Sequence, residues 1–162
     1  MESDRGYISV GDIMTKNVFT VTPETPLLEA SELLLGHNFN GSPFVSPENK
    51  VIGIMTQYDL LSRGTEIHLP TFIKMFGDMP LNKKEGDYGL KGKFDDILSF
   101  TVKDVMNNEP LTIKESASVA DIVREFSEHH RVNPIPVVDV NGILVGIVSR
   151  YDIIQFYAKM LE

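Results

Sequence analysis

Residues 53–61 read GIMTQYDLL, and residues 146–154 read GIVSRYDII. Gly, Tyr and Asp recur at fixed places, Ser149 stands where Thr56 stood, and most other changes exchange one apolar residue for another. A chain of 162 residues that writes one sentence twice carries a duplication, and its extent decides the fold. Working outward, VGDIMTKNVFTVTPETPLLEASELL (10–34) lies over VKDVMNNEPLTIKESASVADIVREF (102–126) without a gap. After one extra residue in the second copy, FNGSPFVSPENKVIGIMTQYDLL (39–61) lies over VNPIPVVDVNGILVGIVSRYDII (132–154). The pairs Asp12/Asp104, Met14/Met106, Pro43/Pro136 and Gly53/Gly146 hold the register. The expected organisation is a first repeat over 8–64, an insert over 65–100 and a second repeat over 101–158.

Within each copy the periodicities predict β-α-β-β-α. VFTV and PLTI read as short strands after a polar turn. Thr25 and Pro26 read as an N-cap and first helical position, opening the helix LLEASELLL. Two short apolar runs follow, SPFV and VIGIM in one copy and IPVVD and ILVGIV in the other. Asn141-Gly142 between the second pair is a tight-hairpin signal, whereas SPENK in the first copy predicts an irregular strand end. A helix follows each nine-residue sentence. A unit of about 55 residues buries only about 60% of its unfolded surface and is marginal alone. Two such units in one chain have a remedy, which is to pack about a pseudo-two-fold axis. The fold class expected is therefore α/β (α+β), with both repeats sharing one axis. The insert predicts a loop, with PTFIKMF as a turn or two of helix, in a position to cover a ligand or partner surface.

Composition narrows function. The chain is 42% hydrophobic and 23% charged, an ordinary globular balance, and no apolar run approaches the roughly 20 residues a spanning helix needs. The N-terminus shows no signal-peptide h-region. The absence of Cys removes disulfides and thiolate chemistry and points to the cytoplasm. A net charge of −8 argues against nucleic acid as a partner. The basic cluster Lys83, Lys84, Lys91 and Lys93 is interleaved with Glu85 and Asp87 and reads as a solvated loop. A small anion remains possible at a helix N-terminus.

The polar letters of the repeated sentence have two readings. Thr56 with Asp59, and Ser149 with Asp152, are spaced S/T-x-x-D where a strand hands over to a helix. That spacing is a capping box. It is also a place where a hydroxyl and a helix N-terminus can meet phosphate while an acid one turn in accepts bonds from a ribose diol. Gly53 and Gly146 just before would let a ligand approach the backbone. The spacing leaves both readings open, and they are compatible.

These residues also carry a resemblance. DIMT and DVMN open the units, SPFV and IPVVD follow, and VIGIMTQYDLL and LVGIVSRYDII close them. In this the chain resembles a tandem pair of cystathionine-β-synthase (CBS) domains, a Bateman module, over about 10–63 and 102–156. HRVNPIPVVD (130–139) is also similar to the adenylate-binding regulatory subunit of AMP-activated protein kinase. The resemblance implies a regulatory module that binds AMP, ADP, ATP or a related adenosyl ligand in the cleft between repeats and signals to an unknown regulated protein. It implies ribose contacts at Asp59 and Asp152, and phosphate contacts at Thr56, Ser149 and Arg150. The adenine pocket it implies uses Phe19, Thr20, Phe39 and Gly41 in one copy and Leu111, Thr112, Val132 and Pro134 in the other. Pro134 lacks an N–H that could meet the base, and Gln57 in place of Arg150 predicts a less cationic site in the first copy.

No enzyme is expected: G-x-S-x-G and H-E-x-x-H are both absent. His129-His130 reads as a helix end, Asp95-Asp96 as a solvated turn, and neither metal nor required cofactor is expected. The alternative to a sensor is an interaction module of the same fold without nucleotide binding. The last helix, YDIIQFYAKMLE, is broader in apolar surface than one buried stripe requires, which together with the resemblance predicts a homodimer through the helices.

Overall fold

The computed structural model describes residues 7–62 and 99–161. The expectations for the insert, including PTFIKMF and Asp95-Asp96, lie outside the described residues, save for its end at Ser99 and Phe100. The first half contains α1 (Val10–Ile13), α2 (Leu27–Gly36), β1 (Gly41–Val45), β2 (Val51–Thr56) and α3 (Gln57–Ser62). The second contains a 3-10 turn (Val102–Asp104), β3 (Ile113–Lys114), α4 (Val119–Glu128), β4 (Ile135–Val138), β5 (Leu144–Val148) and α5 (Arg150–Met160). This is the mixed α/β duplication expected, with two small sheets, β1-β2 and β3-β4-β5.

The strands expected at VFTV and PLTI are shorter than predicted. The first is a single parallel bridge from Val21 to Phe44, and the second is the two-residue β3, parallel to β4. Both helices that follow bury one stripe. Leu27, Ala30, Ser31 and Leu34 face inward from α2, and Val119, Ile122 and Phe126 face inward from α4. Capping differs between them. Ser118 caps α4, with its hydroxyl accepting from the Asp121 N–H at 3.0 Å. In the first copy the N-cap is Pro26, not Thr25, and helix begins at Leu27. The Leu27 N–H is drawn to the Phe100 carbonyl at 2.9 Å, and the Thr25 hydroxyl turns back to accept from the Thr22 N–H at 3.1 Å.

The two hairpin turns are equivalent, although only one carries Asn-Gly. The Ser46 N–H donates to Lys50 O and the Asn49 N–H to Ser46 O; at the matching places Asp139 N–H meets Ile143 O and Gly142 N–H meets Asp139 O. Asn49 (φ 60°) takes the left-handed position that Gly142 (φ 80°) takes in its mate, as Asn does more readily than other side chains. Ser46 Oγ and the Asp139 carboxylate each collect backbone N–H groups inside the loop. This is a three-residue loop closed on a bulge rather than a two-residue turn, and the irregularity expected of SPENK alone is shared by both copies: the register shifts at Phe44/Val45 and again at Val137/Val138.

The pseudo-dyad is visible in the bridges between halves, which come in matched pairs under the repeat. Ser9–Ser118 mirrors Pro26–Thr101, and Thr15–Ile147 mirrors Ile54–Asn107. Lys50–Ile143 is its own mate and so lies on the axis. These bridges reveal an exchange of lead segments. Val10 packs into the second core, with Ile113, Ile122, Ile135 and Val148. Val102 and Val105 pack into the first core, with Leu27, Leu34, Phe44 and Met55. Each fully buried Val contributes about 1.5–3 kcal/mol, so neither half completes its core without the segment that leads the other.

The exchange also corrects the reading of Gly53 and Gly146. What approaches their backbone is this chain itself. A Cβ at Gly53 would stand 3.0 Å from Asn107 O and 3.2 Å from Met106 Sδ. One at Gly146 would strike the Met14 side chain and stand 3.1 Å from Thr15 O. The repeated Met and the repeated Gly are two sides of one contact.

Candidate functional site: clefts between the repeats

Both strand-to-helix junctions form the capping box that their spacing predicts. At α5 one Asp152 oxygen accepts from the Ser149 N–H at 2.7 Å and the Ser149 hydroxyl at 2.6 Å, and Ser149 Oγ accepts from the Asp152 N–H at 3.3 Å. At α3 an Asp59 oxygen accepts from Thr56 N–H at 2.8 Å and Thr56 Oγ1 at 2.7 Å. The position an external anion would take at these helix starts is thus occupied in part by the chain's own carboxylate. The second Asp152 oxygen, Oδ1, accepts from Thr15 Oγ1 at 3.2 Å.

Each junction opens on a cleft shared by the two repeats, and the pairing is crossed. The larger cleft, about 530 Å³, sets Phe19, Phe39 and Gly41 of the first copy against Ser149 and Asp152 of the second. The smaller, about 180 Å³, sets Thr56 and Asp59 of the first copy against Leu111, Val132 and Pro134 of the second. The ribose-type acid expected from one copy therefore faces the base-type wall expected from the other. Pro134 lines both clefts, because Gly41 and Pro134 meet near the axis, with the Pro134 ring 3.0 Å from where a Gly41 Cβ would stand.

Three expected residues are placed elsewhere. Thr20 and Thr112 line neither cleft. The Arg150 guanidinium turns away, donating to the carbonyls of Phe126 and His130 at 3.1 Å each and lying 5.0 Å above the Phe126 ring. Those carbonyls end α4 and the loop after it, so Arg150 serves as a C-terminal cap rather than as a cation in the cleft. Gln57 likewise turns to the loop before β1, donating from Nε2 to Phe39 O at 3.1 Å. The expected charge difference is reversed as well: the smaller cleft, at the Gln57 junction, is lined by Arg131, and Arg150 has left the larger one.

The sequence reading missed His37, which stacks on Phe39 with ring centroids 5.1 Å apart and faces Phe19 at 6.1 Å. With Phe19 and Phe39 it forms an aromatic wall on the larger cleft. It also missed Tyr58 and Tyr151, which line one cleft each, though the Tyr repeated in TQYD and SRYD was the available signal. Arg131 lies 5.2 Å over the Tyr58 ring. Among the described residues no group of three or more His, Asp or Glu is placed to hold a metal ion.

The architecture has counterparts in known proteins. The family model of the CBS domain matches residues 10–66 and again 102–159. The CBS domain-containing protein CBSX1, chloroplastic, of Arabidopsis thaliana is 31% identical over 157 residues, covering 93% of this chain and 64% of that protein. The chain thus spans a little less than two thirds of that relative. The crystal structure of Arabidopsis CBSX2 in complex with AMP is 28% identical with a TM-score of 0.70, covering 97% of this chain and all of that one. An inosine-5'-monophosphate dehydrogenase of Thermoplasma acidophilum is 29% identical over 142 residues, but these are only 22% of that enzyme. With two matches that together take in more than half of its residues, this chain belongs to the CBS-domain family and is a tandem CBS pair.

Proposed function

We propose that this CBS pair is a regulatory module that binds an adenosine nucleotide or related adenosyl ligand between its repeats and passes the binding on to a partner protein. The observation that carries the reading is the larger cleft, where the stacked Phe19, His37 and Phe39 face the Asp152 carboxylate across about 530 Å³. A base stacked on aromatic rings is held by about 1–3 kcal/mol. Hydrogen bonds from a ribose diol to a carboxylate add about 1.5–3 kcal/mol each. In this reading Asp152 and Asp59 take ribose, and Ser149 and Thr56 stand beside the 5' group. Gly41 and Pro134 set the floor near the base, and Leu111 and Val132 form the wall of the second cleft. The AMP complex of the related CBSX2 supports the ligand class.

A ligand that touches both repeats stabilises one relative orientation of them, and differential affinity is all that such a switch requires. The exposed face of α5, with Ile154 and Met160 each at least 60% accessible, suits a second copy or the regulated protein. No catalytic step is assigned to the chain, no cofactor is required, and neither nucleic acid nor membrane is a partner. Among the described residues no helix is long and apolar enough to cross a membrane. A cytoplasmic setting belongs to this proposal.

The test is thermal melting of the chain with AMP, ADP, ATP, adenosine, 5'-methylthioadenosine and S-adenosylmethionine. A ligand at about 100 times its dissociation constant adds about 2.7 kcal/mol, a shift of several degrees for a domain of this size. If none moves the transition at millimolar concentration, the chain is an interaction module and the sensing reading is wrong.

A further inference from the structure

Resting on that reading, we infer that the chain takes one adenosyl ligand, not two: the cleft of Phe39 and Asp152 binds, and Arg131 with Pro134 fills its mate. The two clefts are built from equivalent positions, so their difference in size has to come from particular side chains. Ligand pockets run from about 300 to 1,000 Å³. The cleft of about 530 Å³ falls inside that range and the cleft of about 180 Å³ falls below it.

The repeat identifies the residues responsible. Arg131 occupies the position of Asn38, and Pro134 occupies that of Gly41. In the larger cleft these two positions hold Asn38, in the left-handed region (φ 55°), and a glycine, each smaller than its mate. In the smaller one, the Arg131 guanidinium extends over the Tyr58 ring at 5.2 Å, and a pyrrolidine ring replaces a hydrogen atom. Tyr58 and Tyr151 are themselves equivalent, yet Tyr58 is 40% exposed and Tyr151 62%. Among the described residues no cation stacks on Tyr151. The aromatic wall is one-sided too: Phe19 and Phe39 on the larger cleft correspond to Leu111 and Val132 on the smaller. Arg131 over Tyr58 is a cation–π contact that a ligand in the smaller cleft would have to displace, while Pro134 offers no rotamer by which to yield.

Isothermal titration of the full chain with AMP and, separately, with adenosine tests this. One ligand per chain is expected; two per chain would overturn the inference and leave the sensing reading standing. No binding of either probe would overturn this inference, and the sensing reading would fall with it only if the other adenosyl compounds also left the melting point unmoved. The variant Arg131→Asn restores the residue found at position 38, and a second, weaker site is expected to appear in it. If this variant stays at one ligand per chain with an unchanged melting point, or loses binding altogether, Arg131 is not what fills the second cleft. Should that variant fold poorly, Asp152→Asn decides the location in its place. It should weaken binding at least about tenfold, the loss of one charge-assisted bond, whereas undiminished affinity would put the ligand in the smaller cleft and overturn the inference.

Discussion

Asp152 on α5 accepts a hydrogen bond at 3.2 Å from Thr15 Oγ1, which stands 137 positions earlier in the chain. Thr15 belongs to the lead segment of the first repeat, and its backbone bridges to Ile147 in β5. The candidate ribose acid is therefore held from two directions, by its own helix cap and by the exchanged segment. Thr15→Val removes the hydroxyl while keeping the β-branched shape. We expect a loss of about 0.5–1.5 kcal/mol, the net value of one hydrogen bond, measured by urea unfolding. In a double-mutant cycle, Thr15→Val should lose its effect in an Asp152→Ala background; equal losses in both backgrounds would show the bond to be irrelevant.

The two roles of Asp152 separate by substitution. Asp152→Ala removes the carboxylate half of the capping box, leaves the Ser149 hydroxyl on the backbone N–H of residue 152, and should cost about 0.5–1.5 kcal/mol without ligand. Asp152→Asn keeps a carbonyl oxygen able to accept from Ser149, so its unliganded melting point should fall less. Both variants should lose most of the melting shift produced by an adenosyl ligand. A full shift in Asp152→Ala would leave this residue as a cap alone.

Gly53 is the sharper test of the exchanged segments. A methyl group at residue 53 would meet a backbone oxygen, Asn107 O, at 3.0 Å, and Phe44 Cδ2 at 3.3 Å. Backbone cannot swing aside as a methionine side chain can. Gly53→Ala should destabilise by about 1–3 kcal/mol through overpacking. A melting point equal to that of the parent protein would mean that the lead segment does not dock tightly at that strand.

Acid should weaken the caps and turns before anything else. Backbone and hydroxyl hydrogen bonds from Ser9 lower the Asp12 pKa. The Ser118 hydroxyl and N–H lower that of Asp121, and the Ile143 N–H leads in lowering that of Asp139. A carboxylate with a depressed native pKa contributes stability that is present above the unfolded value, near 3.8 here, and is lost as pH falls through the native value. The midpoint of urea unfolding should therefore hold level from neutral pH to about pH 5 and decline below about pH 4. Asp139→Asn should flatten that decline in part; an unchanged acid limb would clear Asp139 of any role in it.

Much of this was legible because duplication compares the chain with itself. The paired S/T-x-x-D spacing located both caps, and both formed. Met14 with Met106, and Gly53 with Gly146, stood out as register marks, but their reason did not. A contact between a residue of one copy and a residue of the other leaves no trace in the spacing within either copy. For the same cause the crossing of the clefts was hidden: which acid faces which aromatic wall depends on the dyad. Arg150 was misread because side-chain direction is set by what lies above the helix start, here the carbonyls that end α4. The likeness of the SPENK turn to its Asn-Gly mate was hidden because only a backbone angle shows Asn49 standing in for Gly142.

The last prediction concerns α5. Ile153 is buried in the second core, yet Ile154, Tyr157, Met160 and Leu161 are all exposed. Two stripes are thus apolar where one would dock the helix. If a second copy covers the outer stripe, sedimentation at micromolar concentration should give about twice the chain mass of 18.2 kDa. Ile154→Glu would place a charge in the middle of such an interface, where an unpaired buried charge costs several kcal/mol. It should return the mass to that of one chain while leaving the unfolding free energy of the monomer within about 0.5 kcal/mol, as surface substitutions do. A parent protein that sediments as one chain, or a variant that remains a dimer, would move the partner of this helix face from a second copy to the regulated protein.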